Sequence, residues 1–120
     1  MPRGVYCHPE VGAVGLTEAQ ARERGHEVRV GRFAFRNNGR ALLMGHTEGL
    51  AKVISDARYG EILGVHIFGV EATTMLGEAG AALAYEYTDE ELGVTSHAHP
   101  TLAEILQEAA LAAAGLAIHA

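Results

Sequence analysis

The residues best suited to chemistry lie together near the end of the chain, in the run Ser96-His97-Ala98-His99-Pro100-Thr101-Leu102-Ala103-Glu104. Pro100 restricts His99 to an extended or turn conformation, and proline is favoured at the first position of a helix. His99 should therefore lie just outside a helix and Glu104 in its first turn, where the two side chains can meet. A carboxylate that binds one imidazole nitrogen fixes the tautomer and raises the basicity of the other nitrogen. The run therefore predicts a general base that acts on a proton supplied by another group.

The same run has two other interpretations. Thr101-x-x-Glu104 fits a capping box, in which the two residues satisfy each other's free amides, and a helix dipole also favours glutamate in a first turn. His97-x-His99 has the spacing of a metal pair, but no third ligand follows at a characteristic distance, so no metal site is predicted. Spacing alone leaves capping and catalysis both open for Glu104.

The elements that must position this run are mostly strands first and helices afterwards. The strands are expected at 4–7 and 11–16 (one strand broken by His8-Pro9), 26–35, 50–55 and 62–69. The helices are expected from Thr17 to about 24, over 72–87, as a short turn after Thr88 or Asp89, and from Thr101 to about 114, where Gly115 ends the last one. This order predicts an α+β fold, an antiparallel β-sheet with flanking helices on one face.

Two of the expected strands have features that make specific predictions. The apolar alternation in 26–35 changes phase beside Gly31, which indicates a β-bulge or a bend there. In 62–69 apolar residues occupy both faces, with 63, 65 and 67 on one side, which predicts a central strand covered on both sides. His66 within this strand is interpreted as a hydrogen-bonded interior or interface histidine.

The expected helix over 72–87 has few bulky side chains. Its apolar stripe consists of Leu76, Gly80, Leu83 and Tyr87, and glycine and alanine surround it. Small side chains allow another backbone to come close. The helix therefore packs either tightly against its own sheet or against a partner subunit, and the pattern favours neither.

Composition narrows the class of protein. The 120 residues predict a single domain, 1–120, and the net charge of −6 argues against a nucleic-acid surface. No apolar run is long enough to span a membrane, and the first residues lack the apolar core of a signal peptide. The single cysteine, Cys7, excludes an intramolecular disulfide and favours a reducing, cytoplasmic location. Gly12-x-x-Gly15 is not a dinucleotide fingerprint, so no FAD or NAD is expected on this chain by itself.

Several motifs together resemble one family. The run His97 to Glu104, followed by Glu108-Ala109-Ala110, is similar to the C-terminal signature of the dihydrolipoamide dehydrogenases, which are flavin-dependent pyridine nucleotide–disulfide oxidoreductases. The run from His8 to Thr17 resembles the opening of that family's dimerisation domain, and 64–69 and 71–84 also fit. The resemblance covers nearly the whole chain and involves two separated motifs in the right order.

The resemblance implies both a site and a larger context. It implies that His99 is the catalytic base, that Glu104 orients it, and that His97 and Pro100 are active-site neighbours, with a cis His99–Pro100 bond. It also implies an α/β sandwich that serves as the interface domain of a larger homodimeric flavoenzyme, in which His99 approaches the partner subunit's flavin. That enzyme would use FAD, NAD, a lipoyl group and the acyltransferase subunit of a 2-oxo acid dehydrogenase complex, and the isolated chain would be inactive.

Two alternatives accompany this interpretation. One is the same domain of a sibling disulfide reductase, of the glutathione or mercuric reductase type. The other is a free-standing dimerisation module without catalysis. Finding a flavin domain upstream in the same reading frame would exclude the second.

Overall fold

The computed structural model describes residues 3–5, 10–95 and 101–115. Within these residues the chain forms five strands: β1 (Arg3–Val5), β2 (Glu10–Gly15), β3 (Val28–Ala34), β4 (Gly49–Asp56) and β5 (Ile62–Gly69). The same residues form five α-helices: α1 (Glu18–Glu23), α2 (Gly39–Met44), α3 (Ala72–Ala84), α4 (Asp89–Val94) and α5 (Ala103–Ala114). A 3-10 turn, Phe35–Asn37, precedes α2. The strands make one antiparallel sheet in the order β1-β2-β5-β4-β3, which confirms the predicted α+β class.

The short helices begin and end where local signals place them. The Thr17 hydroxyl accepts from the Gln20 amide and the Gln20 side chain accepts from the Thr17 amide, which makes a capping box at the predicted start of α1. Thr88 and Glu91 form the same box at α4. Gly115 ends α5 in the left-handed conformation, with φ of 80°. The sequence predicts the cap at Thr17 and the end at Gly115, whereas it leaves Thr88 and Asp89 both open as the cap of α4, and the structure selects Thr88.

The two faces of the sheet are covered unequally. Helices α3 and α5 cover one face, and the main core between them and the sheet includes Val53, Val65 and Ile67. Helix α1 covers one end of the other face, over a small cluster of Ala21, Ile54 and Leu63. Strand β5 lies at the centre of the sheet and is buried along most of its length, as its sequence predicts.

The opening segment is two strands rather than one interrupted strand. Strands β1 and β2 pair antiparallel, with Arg3 opposite Ala13 and Val5 opposite Val11, so the chain reverses between them. The prediction of a single broken strand is therefore wrong. Residues 6–9, which include Cys7, lie outside the described part of the chain.

The bulge predicted at Gly31 is also wrong. Strands β3 and β4 keep one register from Val28 opposite Asp56 to Ala34 opposite Leu50. Gly31 faces α5 instead, and a Cβ there would lie 2.1 Å from the Ala109 carbonyl oxygen and 2.2 Å from the Ala113 nitrogen. This glycine therefore allows a helix to approach the sheet closely.

The irregularity lies between β4 and β5. Ile54 pairs with Gly64 and Ser55 with Ile62, so the register shifts by one residue at Leu63. Leu63 consequently packs in the small cluster under α1, whereas Val65 packs in the main core. The prediction that 63, 65 and 67 share one face is wrong at its first position because of this shift.

Helix α3 packs against its own sheet, with a face that differs from the predicted stripe. Its buried residues are Ala72, Met75, Leu76, Ala79 and Ala82. A Cβ on Gly12 of β2 would lie 3.0 Å from Leu76 Cγ, so helix and strand are in close contact. The outward side is small, since Gly77 and Ala81 are exposed, and Tyr87 lies beyond the helix end. None of the helices in the described ranges is long and apolar enough to cross a membrane.

Candidate functional site

The structure describes only part of the predicted site. His97, His99 and Pro100, together with the His99–Pro100 bond, lie outside the described residues. Glu104 lies in the first turn of α5, as predicted, and its Oε1 accepts a hydrogen bond of 2.9 Å from the Thr101 backbone N–H. That bond is one half of the predicted capping box, although α5 begins at Ala103, two residues later than expected. The N-cap of α5 is Leu102, which makes no side-chain capping bond, so this one bond is all that is described of the box, and the catalytic role of Glu104 stays a prediction.

Helix α5 is held firmly in the core, which determines where Glu104 can lie. Its inward residues belong to the main core: Ile105, Leu106, Ala109, Ala110 and Ala113. It also packs against α4, because a Cβ on Gly93 would lie only 2.5 Å from Leu111 Cδ2. The first turn of α5 is therefore fixed relative to both the sheet and α4.

The chain just before the histidine run is tied to α4 and α5. The Gln107 side-chain amide donates to the Gly93 carbonyl at 2.8 Å. The Thr95 hydroxyl donates to the Glu91 carbonyl at 2.9 Å. The end of α4, from which the chain enters 96–100, is consequently bonded to α5.

An ion pair between a buried carboxylate and a partly exposed arginine fixes the start of α4. Asp89 Oδ2 accepts from Arg29 Nη2 at 2.8 Å and from the Ser55 hydroxyl at 2.7 Å, which joins α4 to β3 and β4. Asp89 Oδ1 accepts from the Glu90 amide at 2.8 Å. Within the described residues, Arg29 Nε is buried and has no hydrogen-bond partner. Sequence reasoning identifies Asp89 only as a possible cap, because its partners lie far away along the chain.

The chain just after the histidine run is tied to α2 by Asn38, which lies in the run Asn37-Asn38-Gly39, a run whose composition is typical of a turn. Asn38 is 5 % exposed, and its Oδ1 accepts from the Ala41 amide at 2.9 Å as the cap of α2. Its Nδ2 donates to the Thr101 carbonyl at 2.9 Å. An asparagine directly before a helical segment is a local signal for a helix N-cap, and this signal could have predicted the bond to Ala41. Its second bond has no local signal.

The part of the second sheet face that no described helix covers forms a two-row surface. The first row, which we call the apolar row, pairs Val11, Phe68 and Leu50 across three strands, and these side chains are 39 %, 44 % and 38 % exposed. A shallow cavity of about 260 Å³ lies over this part of the sheet. Clustered apolar exposure of this kind is typical of a surface that another molecule or domain covers.

The second row, which we call the basic row, runs beside the apolar row. It consists of Ala13, His66, Lys52 and Arg32 on four neighbouring strands. His66 is half-buried and its Nε2 lies 2.9 Å from the Leu16 carbonyl oxygen, so this nitrogen donates and the predicted hydrogen-bonded histidine is confirmed. This face therefore carries cations in a chain whose net charge is −6.

One carboxylate of α1 lies against the basic row. Glu18 Oε1 is 3.0 Å from Lys52 Nζ and 3.8 Å from Arg32 Nη2, and its other oxygen accepts from Arg22. The hydrogen bond from Lys52, followed by that from Arg22, lowers the pKa of Glu18. Glu18 is therefore ionised at neutral pH and anchors α1 over the sheet.

The described residues do not form the βαβ unit that carries a dinucleotide fingerprint. All strand pairings of the described sheet are antiparallel, whereas a dinucleotide fingerprint belongs to a parallel βαβ unit. The space beside Gly15 is already filled, since a Cβ there would lie 2.3 Å from the Leu63 carbonyl oxygen. Within the described ranges, no group of three His, Cys, Asp or Glu residues could hold a metal ion.

Comparisons with known proteins agree with this architecture. Residues 1–110 match the family model of the pyridine nucleotide-disulphide oxidoreductase dimerisation domain. Among solved structures, the HOCl-induced flavoprotein disulfide reductase RclA from Escherichia coli superposes with a TM-score of 0.87 and 27 % identity, over 92 % of this chain and 25 % of that one. LpdA from Mycobacterium tuberculosis has the same fold, with a TM-score of 0.85 at 24 % identity over 92 % of this chain and 24 % of that one. Fold and sequence thus define an oxidoreductase dimerisation domain, and the chain belongs to this family.

Curated relatives narrow the resemblance to one type within the family. Dihydrolipoyl dehydrogenase from Bacillus subtilis is 46 % identical over 99 % of this chain and 25 % of its own length. The corresponding enzyme from Thermus scotoductus is 48 % identical, again over 99 % of this chain and 26 % of its own length. The chain thus resembles the dihydrolipoyl dehydrogenase type, and it spans about a quarter of the length of these relatives.

Proposed function

We propose that this chain is the dimerisation domain of a longer dihydrolipoyl dehydrogenase and that it supplies His99 as a general base oriented by Glu104. The observation that carries the proposal is the position of Glu104. Its carboxylate lies in the first turn of α5 and accepts from the N–H of Thr101, the residue that follows His99-Pro100. The names of the relatives, dihydrolipoyl dehydrogenases over almost the whole of this chain, supply the reaction class.

The chemistry that such a base performs is the transfer of one proton. A thiol with a pKa of about 8.5 is mostly protonated at neutral pH, and only its thiolate attacks a disulfide. An imidazole with a pKa of about 6.5 can accept the thiol proton on one nitrogen while Glu104 binds the other nitrogen and stabilises the imidazolium. The thiolate sulfur then forms a bond to one sulfur of a disulfide. The bond between the two disulfide sulfurs breaks, and the other disulfide sulfur leaves as a thiolate. FAD and NAD, bound by other domains of the enzyme, would carry the electrons onward.

Two variants separate catalysis from capping in the full-length enzyme. Glu104→Gln keeps an oxygen that can accept from Thr101, so the melting temperature should hold, but it cannot stabilise the imidazolium. His99→Gln removes the base and should slow dihydrolipoamide oxidation by about 10²–10⁴-fold. Glu104→Gln should slow it less, with flavin content unchanged. Wild-type turnover in Glu104→Gln would leave this residue with a capping role only.

The partners that we propose are a second copy of the chain and, in the full enzyme, the lipoyl group and acyltransferase subunit of a cytoplasmic 2-oxo acid dehydrogenase complex. Two surfaces suit a second copy: the apolar row, and the small outward side of α3. A stable dimer would bury about 1,200 Å² or more in total. Phe68→Glu tests the apolar row and Ala81→Glu tests α3, with the same new side chain at an exposed position in each case.

Sedimentation of the two variants beside the unmodified chain shows which of the two surfaces forms the contact between subunits. The variant that disrupts the interface should sediment as a monomer. Its melting temperature should stay near that of the unmodified chain measured as a monomer, because the substitution removes the contact between subunits and leaves the fold of each subunit intact. If the unmodified chain is a monomer at high concentration, the other domains of the enzyme must supply the interface. If it dimerises and both variants still do so, neither surface is the contact.

A sibling disulfide reductase is the second candidate, because RclA from Escherichia coli shares the fold at 27 % identity. The substrate separates the two candidates. The full-length enzyme should oxidise dihydrolipoamide with NAD and should not reduce glutathione disulfide at a comparable rate. The isolated 120-residue chain should be colourless and inactive with either substrate, and a flavin spectrum with turnover would contradict this.

A further inference from the structure

We propose that Asn38 is a positioning residue for the catalytic histidine, acting through the Thr101 backbone. This inference rests on the proposed function of His99 and adds a residue to it. Asn38 is almost completely buried, and its Nδ2 donates to the Thr101 carbonyl oxygen at 2.9 Å. Thr101 is two residues from His99 along the chain, so its position limits where the imidazole can lie.

The Thr101 residue is held on both of its backbone polar groups. Its N–H donates to Glu104 Oε1 at 2.9 Å, and its carbonyl accepts from Asn38. The first bond joins it to the residue that is proposed to orient the imidazole, and the second joins it to the start of α2. Together they fix the backbone at the point where the histidine run enters α5.

Asn38 is itself bonded to a fully buried residue of the core. Its backbone N–H donates to the Phe35 carbonyl at 2.9 Å, and Phe35 is completely buried. The Phe35 ring fills the space beside Gly69 of β5, where a Cβ would lie 2.5 Å from a ring carbon. The amide of Asn38 is therefore fixed relative to the centre of the sheet, which is what accurate positioning requires.

Capping of α2 does not explain the choice of asparagine at this position. The cap needs only an acceptor for the Ala41 amide, and serine or aspartate serves as well as asparagine. The bond to Thr101 needs in addition a donor at the end of a side chain of this length. Asparagine meets both needs, so the two roles can be separated by substitution.

The test uses the flavin-loaded full-length enzyme with Asn38→Ser and Asn38→Asp. Both variants keep a cap acceptor; serine is too short to reach Thr101, and aspartate places an acceptor opposite the carbonyl. Two half-reactions are measured by stopped flow: reduction of the enzyme by dihydrolipoamide, which needs the thiol base, and reduction of the flavin by NADH, which does not. The readout is the ratio of the two half-reaction rates. A smaller amount of folded enzyme lowers both rates by the same factor and therefore leaves their ratio unchanged.

We expect both variants to slow the dihydrolipoamide half-reaction about tenfold or more relative to the NADH half-reaction, since small displacements of a catalytic group have large effects on rate. Thr17→Ala, which removes the cap of the remote helix α1, is the matched control. It should lower the melting temperature and leave the ratio unchanged.

The outcomes distinguish this inference from the proposed function. An unchanged ratio in both Asn38 variants, with a lowered ratio in His99→Gln, would overturn the positioning role and leave the base in place. Wild-type rates in His99→Gln would overturn both. A ratio that falls in Thr17→Ala as much as in the Asn38 variants would show a general effect of stability and would also overturn the positioning role.

Discussion

Replacing Gly31 by alanine tests the close contact between α5 and the sheet. The added Cβ would lie 2.1 Å from the Ala109 carbonyl oxygen and 2.2 Å from the Ala113 nitrogen, both of them backbone atoms in the middle of α5. Contacts of real Cβ atoms are essentially never below 3.0 Å, so helix and strand must separate by about 0.9 Å (3.0 less 2.1). No rotation of a side chain can relieve this contact, because every atom involved is backbone or Cβ.

The magnitude follows from what α5 buries. A separation of this size loosens the contacts of the inward residues of α5 with the main core, whose close packing does not tolerate gaps. Overpacking of a core usually costs 1–3 kcal/mol, and a contact made only of backbone places this variant at or above the upper end, at about 3 kcal/mol. For a chain of 120 residues, a loss of about 3 kcal/mol lowers the melting temperature by about 12 °C.

The assay is thermal and urea unfolding of the chain followed by circular dichroism, with Gly77→Ala as the matched control. Gly77 lies on α3 with nothing within 4 Å of the position of its Cβ, so alanine there should stabilise the helix by about 0.5–1 kcal/mol. The same substitution should thus act in opposite directions at the two glycines. If Gly31→Ala melted within about 2 °C of the unmodified chain, α5 would not be in close backbone contact with β3, and this reasoning would be refuted.

Two further predictions concern buried or paired carboxylates. The His26 imidazole, bonded at 2.8 Å, and next the Arg58 amide lower the pKa of Asp56 below its ordinary value of 3.8, so its stabilising effect is complete above that value and is lost as the pH falls through the lowered pKa. Asp56→Asn should therefore be less stable than the unmodified chain at pH 7, and the difference in urea midpoint should narrow as the pH falls below 3.8; a constant difference would contradict the pairing. Asp89→Ala leaves the Ser55 hydroxyl and a partly buried guanidinium without their acceptor, and should cost about 3 kcal/mol in urea unfolding. A loss below about 1 kcal/mol would show that water replaces the carboxylate.

Much of the fold could be predicted from the sequence, because several of its signals are local. The capping boxes that begin with Thr17 and Thr88 each involve residues three positions apart, and Gly115 ends α5 through its own backbone conformation. The order of strands and helices indicates an antiparallel α+β domain, and the motifs around Glu104 indicate its family. The caps and the helix end depend on residues a few positions apart, whereas the fold class and the family depend on the order of elements and motifs along the chain.

The features that sequence reasoning misjudged depend on contacts between distant segments. The change of apolar phase in β3 reflects burial on both faces of the sheet, and Gly31 is required by α5, which lies nearly eighty positions further along the chain. The register shift at Leu63 likewise depends on how β4 and β5 pair. The local pattern wrongly predicts a bulge at Gly31 and predicts none at Leu63. It contains no information about the helix that packs on a strand or about how two strands pair.

The candidate site shows the same division. The sequence by itself determined that Glu104 lies in the first turn of a helix shortly after His99-Pro100, since the spacing and the proline are local facts. Only the tertiary structure decided that the carbonyl of Thr101 is held by Asn38, a residue 63 positions earlier. A hydrogen bond needs its two atoms within about 3 Å, and for segments so far apart only the packing of α2 and α5 around a common core can bring them together.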